Sequence, residues 1–124
     1  MDVAEITRRM ERERLFWVDV APGKRIQLIR PMLDEARGFA QEFTIAKVAT
    51  YLRDWSGVVE SDILAAGGST PVDFDKGLAT NAVRDHLEWG QKVMTAVATA
   101  VADRAALTSA VEKKPETSST STPE

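Results

Sequence analysis

A chain of 124 residues is long enough for one domain with its own hydrophobic core, but short for two. Hydrophobic residues make up 44% and charged residues 28%, which are ordinary globular proportions, and a net charge of −3 excludes a strongly basic DNA-binding domain. The lack of cysteine excludes disulfides, thiolate nucleophiles and cysteine-based zinc sites. The N-terminus lacks the apolar run of a signal peptide, and no stretch is apolar enough to span a bilayer, so we expect a soluble intracellular protein.

The N-terminal part of the chain predicts a short helix followed by a β-hairpin. Ile6 and Met10 are four residues apart and share one face of a helix whose other residues are mostly charged. Phe16-Trp17-Val18-Asp19-Val20 then alternates as a strand does, and Ala21-Pro22-Gly23-Lys24 has the residues of a tight turn. We therefore expect a hairpin over residues 15–30, with a helix against its apolar face.

Residues 31–57 predict a helix in two parts. Pro31 suits the first turn of a helix, because its missing N–H costs nothing there. Apolar residues then recur at spacings of three and four: Leu33, Ala36, Ala40, Phe43, Ile45, Val48, Ala49 and Leu52. We expect a break near Glu42–Thr44 and an end at Trp55-Ser56-Gly57, with Gly57 as the C-cap.

The second half of the chain predicts a loop and two helices. Residues 57–74 are rich in glycine and form a long loop, which Val58, Val59, Ile63 and Leu64 would tether to the core. Asp73 or Asp75 can cap the next helix, which continues to Leu87. Trp89-Gly90 separates it from a last helix running from about Gln91 to Val111.

These elements predict a single domain over residues 1–111. Its class is α+β, mainly α, with the small N-terminal β-hairpin (15–30) packed on a bundle of about four helices. Residues 112–124 carry no side chain able to anchor a core, and they predict a disordered tail.

The residues needed for catalysis or metal binding do not form a recognisable pattern. His86 is the single histidine, with Asp85 and Glu88 beside it but no nucleophile or third ligand nearby in the sequence. Glu60 and Asp62 flank Ser61 in the loop, but their spacing does not follow a calcium-binding loop. We expect no enzyme activity, no metal and no cofactor.

Tryptophan placement leaves binding and core packing open as alternatives. Trp17 is on the hairpin face opposite Phe16 and Val18, where water is expected. Trp55 and Trp89 each end an amphipathic stripe, which favours anchoring in the core. Tryptophan is also enriched at binding hot spots, so all three are candidate partner contacts.

The order of these features resembles the tail assembly chaperones of long-tailed bacteriophages. The resemblance covers residues 15–108. Its motifs are, in chain order, the strand Phe16-Trp17-Val18-Asp19-Val20, Arg30-Pro31, Ala36-Arg37 with Ala40, Tyr51-Leu52-Arg53-Asp54-Trp55-Ser56-Gly57-Val58-Val59 and Pro71-Val72-Asp73-Phe74. The Trp-x-Gly-Val element followed by a loop and Pro-Val-x-Phe is the most specific part.

The resemblance implies a non-catalytic protein that binds the tape measure protein, keeps it soluble and helps recruit tail tube protein. It implies action in the host cell cytoplasm, absence from the mature virion, possible self-oligomers, and neither nucleic-acid nor membrane binding. It also implies that a longer form can arise by ribosomal frameshifting near Lys113-Lys114. The expected protein-interaction residues are Trp17, Trp55, Gly57, Val58, Phe74 and Trp89.

Two other functions are compatible with a small helical protein. A head–tail connector or another phage structural protein would share the composition but would remain in the virion. A helical DNA-binding regulator is the second alternative, although the acidic net charge and the lack of a basic recognition helix argue against it.

Overall fold

A computed structural model describes the backbone of residues 2–121 and the side chains of residues 2–109. The strands are β1 (Leu15–Ala21), β2 (Lys24–Ile29) and β3 (Leu52–Ser56). The helices are α1 (Val3–Arg14), α2 (Leu33–Ala36), α3 (Ile45–Ala49), α4 (Lys76–Asp85) and α5 (Leu87–Ser121), with 3-10 turns at Arg37–Ala40 and Glu60–Asp62. Helices account for 56% of the chain, which confirms the predicted α+β, mainly α, class with an N-terminal hairpin.

The N-terminal helix and hairpin form where the sequence predicts them. Asp2 caps α1 by accepting a hydrogen bond of 2.8 Å from the Glu5 backbone N–H. β1 and β2 pair antiparallel, with Trp17 opposite Gln27, and Gly23 makes the turn at a φ of 75°, which glycine adopts without strain. The hairpin prediction over residues 15–30 is confirmed.

The second part of the predicted central helix forms only over Ile45–Ala49, because Leu52–Ser56 is a third strand that pairs antiparallel with β2. The predicted end of the helix at Trp55-Ser56-Gly57 is therefore wrong. Ile26 lies opposite Trp55 and Leu28 opposite Leu52, so the register shifts at Arg53, the extra residue of a β-bulge. The bulge lets two residues three positions apart face the same side, which imitates helical spacing. Gly57 consequently ends a strand and is not a helix C-cap, although its φ of 83° is positive.

The core lies between the inner face of the sheet and three helices. The sheet contributes Val18, Val20, Ile26, Leu28, Leu52 and Trp55. The helices contribute Val48 and Ala49 from α3, Ala79, Ala82 and Val83 from α4, and Trp89, Val93 and Val97 from α5. The buried residues of α5 are spaced by four, so one stripe of this helix covers the sheet. The Lys92 ammonium adds a hydrogen bond of 3.2 Å to the Val20 carbonyl.

The boundary between α4 and α5 differs from the prediction. Asp75 caps α4 as expected, accepting from the Leu78 N–H at 2.9 Å. The break falls at His86, whose backbone is extended, and Trp89 and Gly90 lie inside the first turns of α5. Gly90 is buried, and a Cβ there would lie 2.8 Å from the Val83 carbonyl oxygen. Glycine therefore permits the close approach of the two helices and does not separate them.

The backbone of α5 is helical to Ser121, so the helix does not end at Val111 as predicted. Glu112, Lys113 and Lys114 have good helix propensity, although they lack apolar side chains. The side chains of the predicted tail, residues 112–124, and all of residues 122–124 lie outside the described residues, so disorder there stays a prediction. Within the part of the chain that the structure describes, no helix is long and apolar enough to cross a membrane.

Replacing Gly57 with alanine should destabilise the fold more than the same change at Gly23. Both glycines have positive φ, but a Cβ at Gly57 would collide with the Gly23 carbonyl oxygen, whereas one at Gly23 would meet nothing within 4 Å. We expect Gly23→Ala to cost about 1 kcal/mol for backbone strain and Gly57→Ala roughly 3 kcal/mol, because the collision is added. Urea unfolding measures both, and equal losses would contradict the close approach of the two turns.

Candidate functional site

Residues 55–58 and residues 71–74, which the sequence places at the two ends of the long loop, lie against each other. The Trp55 indole N–H donates a hydrogen bond of 2.7 Å to the Val72 carbonyl, and the Val72 N–H donates one of 3.0 Å to the Val58 carbonyl. The Phe74 ring meets the Trp55 ring edge-on, with 5.7 Å between centroids. Trp55 and Phe74 thus close the long loop at its base, and we call this contact the loop clasp.

The loop above the clasp is ordered by its own carboxylates. Asp62 accepts a hydrogen bond of 2.8 Å from the Val59 N–H and pairs with Lys24 at 3.0 Å. Glu60 accepts from the Gly68 N–H at 3.3 Å. Among the residues that the structure describes, no group of three or more acidic or histidine side chains is placed to hold a metal ion. These carboxylates therefore hold the loop together, and the expectations of no metal and no catalysis stay predictions.

Three of the predicted interaction residues belong to the core. Trp55, Val58 and Trp89 expose 7%, 2% and 2% of their surface, so a partner cannot reach them without opening the fold. Phe74 is half-buried in the loop clasp, and Gly57 lies at an exposed turn. Binding through these residues stays a prediction, and the structure gives them a packing role. The exposed ring of His86 stacks on Trp89 at 4.7 Å between centroids.

Trp17 has the most exposed side chain among the predicted interaction residues. It is 38% exposed on the outer face of the sheet, as its place in the alternation predicts. The Arg25 guanidinium lies 4.5 Å from its ring centroid, in a cation–π contact. The ring is therefore partly covered from within the chain and partly open to solvent.

The sequence predictions missed an open apolar surface on α1. No residue of this helix is buried, and Val3, Ile6 and Met10, which share one face, are 80%, 43% and 55% exposed. The pattern was visible in the sequence as apolar residues at helical spacing. The spacing could not show that the core leaves this face uncovered.

The apolar face of α1 leads into a groove between α1, α2 and α5. The groove has a volume of about 440 Å³, and its apolar lining consists of Met10, Met32, Leu33 and Leu107. Met32 and Leu107 are 42% and 57% exposed, so the groove is open to solvent. The methionine side chain is flexible, so this surface can bind apolar side chains of different shapes. Val3, Ile6, Met10, Met32, Leu33 and Leu107 are called the α1 surface below.

Three arginines line the same groove: Arg14, Arg30 and Arg104. The Arg14 side chain donates to the Arg30 carbonyl at 2.8 Å, and the Arg30 guanidinium donates to the Pro31 carbonyl at 2.8 Å. Burial lowers the pKa of Arg30, and the positive charges of Arg104 and Arg14 lower it further. Within the described residues none of the three forms a salt bridge, although Glu13 also lines the groove and itself pairs with Arg9 at 3.6 Å. The groove therefore combines apolar lining with concentrated positive charge.

Alanine substitutions at Trp89 and at Trp17 should differ in their effect on stability, because Trp89 is buried and Trp17 is partly exposed. We expect Trp89→Ala to lower the free energy of unfolding by about 3–5 kcal/mol, because it empties a buried site. Trp17→Ala should cost under about 1 kcal/mol, since it removes a half-exposed ring and one cation–π contact. Chemical denaturation followed by circular dichroism measures both. A loss at Trp17 as large as that at Trp89 would contradict the surface assignment.

The described residues of this chain form both the loop clasp and the groove. Comparisons with protein-family models, with curated proteins and with solved structures found no match.

Proposed function

We propose that this chain is a tail assembly chaperone of a long-tailed bacteriophage. In this function it binds the tape measure protein, keeps it soluble and helps recruit tail tube subunits. It acts in the host cell cytoplasm and is not retained in the mature virion. The resemblance of residues 15–108 motivates the proposal, and the α1 surface provides its physical support.

The open apolar face of α1 is the observation that carries the proposal. A free helix face with Val3, Ile6 and Met10 exposed is costly in water unless another surface covers it for part of the time. The face continues into the groove at Met32 and Leu107, so a second helix could lie along both. A chaperone for a long helical substrate needs this kind of shallow surface.

The chemistry of the surface suits reversible binding. Its side chains are aliphatic and thioether groups, which bind apolar stripes with little directional selectivity. One such contact is weak, but many copies along a long substrate hold it by avidity. The tape measure protein is a partner of this kind, because its length allows many equivalent contacts.

Different residues maintain the fold and form the proposed binding surface. The loop clasp and the α5 stripe maintain the fold, while the α1 surface contributes nothing to the buried core. Binding and release can therefore proceed without unfolding the domain. The expected non-catalytic nature of the protein agrees with this surface-based function.

Polar substitutions on α1 should abolish the chaperone effect and leave the fold intact. We expect the double variant Ile6→Ser, Met10→Gln to keep its unfolding free energy within about 0.5 kcal/mol, because both sites are exposed and the exchanged residues have similar helix propensities. Co-expression with the tape measure protein of the same phage, followed by centrifugation of the lysate, measures the soluble fraction of that partner. The wild-type chain should raise this fraction several-fold, and the double variant should not.

Leu64→Ser is the matched control for the co-expression experiment. Leu64 is 61% exposed in the loop and lies outside the α1 surface, so this variant should solubilise the partner as the wild-type chain does. A tape measure protein that stays equally insoluble with and without the wild-type chain would refute the proposed function. Equal loss in both variants would refute the role of α1.

A further inference from the structure

The groove beside α1 carries positive charge, which a site that binds only apolar side chains would not need. Arg14, Arg30 and Arg104 come from three separate parts of the chain and meet at one opening. Burial is the main cause of the lowered pKa of Arg30, and the neighbouring positive charges of Arg104 and Arg14 lower it further, since like charges repel. The fold holds these charges together although nothing in the described structure neutralises them by direct pairing.

We propose that the groove docks an acidic amphipathic helix, in which carboxylates flank a stripe of aliphatic side chains. This inference rests on the proposed function, because it specifies the kind of tape measure segment that the chaperone binds. The aliphatic stripe covers Met10, Met32 and Leu107, while the flanking carboxylates pair with the arginines. Guanidinium groups form strong, often bidentate hydrogen bonds with carboxylates, so the match is geometric as well as electrostatic.

The groove combines apolar and basic side chains, and this favours an acidic amphipathic helix over other anions. A nucleic-acid backbone or a phosphate would use the three guanidiniums but would leave the two methionines and Leu107 in water. A lipid surface needs a wide basic face, whereas Glu13 lies within the groove and glutamates alternate with arginines along α1.

A second copy of this chain fits less well than an acidic helix. The α1 helix of such a copy carries four arginines to three glutamates, with Asp2 at its cap. Its charges are therefore balanced, and they would bring arginines as well as carboxylates to the three arginines of the groove. An excess of carboxylates, which α1 lacks, is what these arginines favour.

Fluorescence anisotropy with a designed peptide tests the inference. The probe is a labelled helical peptide of about 18 residues, or roughly five turns, with a leucine stripe flanked by glutamates. Its twin replaces the glutamates with lysines and keeps the stripe. The chain is acidic overall, so long-range attraction favours the lysine twin, and only local recognition can favour the glutamate peptide. We expect the glutamate peptide to bind the full chain roughly tenfold more tightly or better.

Arg104→Glu and Arg84→Glu are a matched pair of charge-reversal variants, one in the groove and one away from it. Arg104→Glu places a carboxylate in the groove, whereas Arg84→Glu makes the same change in net charge on the exposed surface of α4. We expect Arg104→Glu to weaken glutamate-peptide binding by about tenfold or more and Arg84→Glu to change it less than about twofold. Thermal unfolding of both variants shows that the fold is retained.

Several results would overturn the inference. Equal binding of the two peptides, no binding of either, or equal loss in the two variants would each do so. Binding of phosphatidylglycerol vesicles or duplex DNA that Arg104→Glu abolishes would assign the groove to phosphates, and a dimer that Arg104→Glu dissociates would assign it to a second copy. Because the peptides do not depend on the tape measure protein, failure of the co-expression experiment and failure of this one are separate results.

Discussion

Burial of the sheet's inner face beneath α5 is the constraint on which the other features depend. Trp89, Val93 and Val97 form one stripe along α5, which packs against β1 and shares one core with the alternating apolar residues of the sheet. With α3 and α4 packed beside it, the inner face of the sheet has no room for another helix. The N-terminal helix α1 precedes β1 and is therefore left outside, joined to the body where the Arg14 side chain reaches the Arg30 carbonyl at 2.8 Å. The open α1 surface is a consequence of how the core is filled.

The loop clasp shows that residues on which the resemblance to tail assembly chaperones is based have structural roles. Trp55, Gly57 and Phe74 come from the segments that suggested a tail assembly chaperone. The structure uses Trp55 and Phe74 to close one loop, and Gly57 to pass close to the hairpin turn at Gly23. Each has a physical requirement: a hydrogen bond for a buried indole, a positive φ with no room for a Cβ, and an aromatic ring to cover the indole. A resemblance carried by such residues concerns the fold first. The uncovered α1 surface is the feature that suits partner binding.

Local patterns predicted the features that depend on local chemistry. The hairpin, its Gly23 turn, the break before Ile45 and the Asp75 cap follow from alternation, turn residues and capping. The strand β3 was missed because its bulge places Leu52 and Trp55 three residues apart, a spacing that a helix also produces. Gly90 was misread because a glycine required by close helix packing looks, in sequence, like one that ends a helix. The groove was missed because α1, α2 and α5 are far apart in the chain, and only the fold brings Met10, Met32 and Leu107 together.

The separation of core and surface explains how a binding site can combine features that each destabilise a folded protein. Exposed apolar side chains and adjacent like charges both cost free energy in the unbound chain. At the α1 surface that cost falls on side chains that are not part of the buried core, so the core is unaffected by it. A partner that covers the methionines and neutralises the arginines removes both costs on binding, and both return on release. Under the proposed function this gives the surface a preference for an acidic, apolar helix while each single contact stays weak, which is what a temporary scaffold on a long substrate requires.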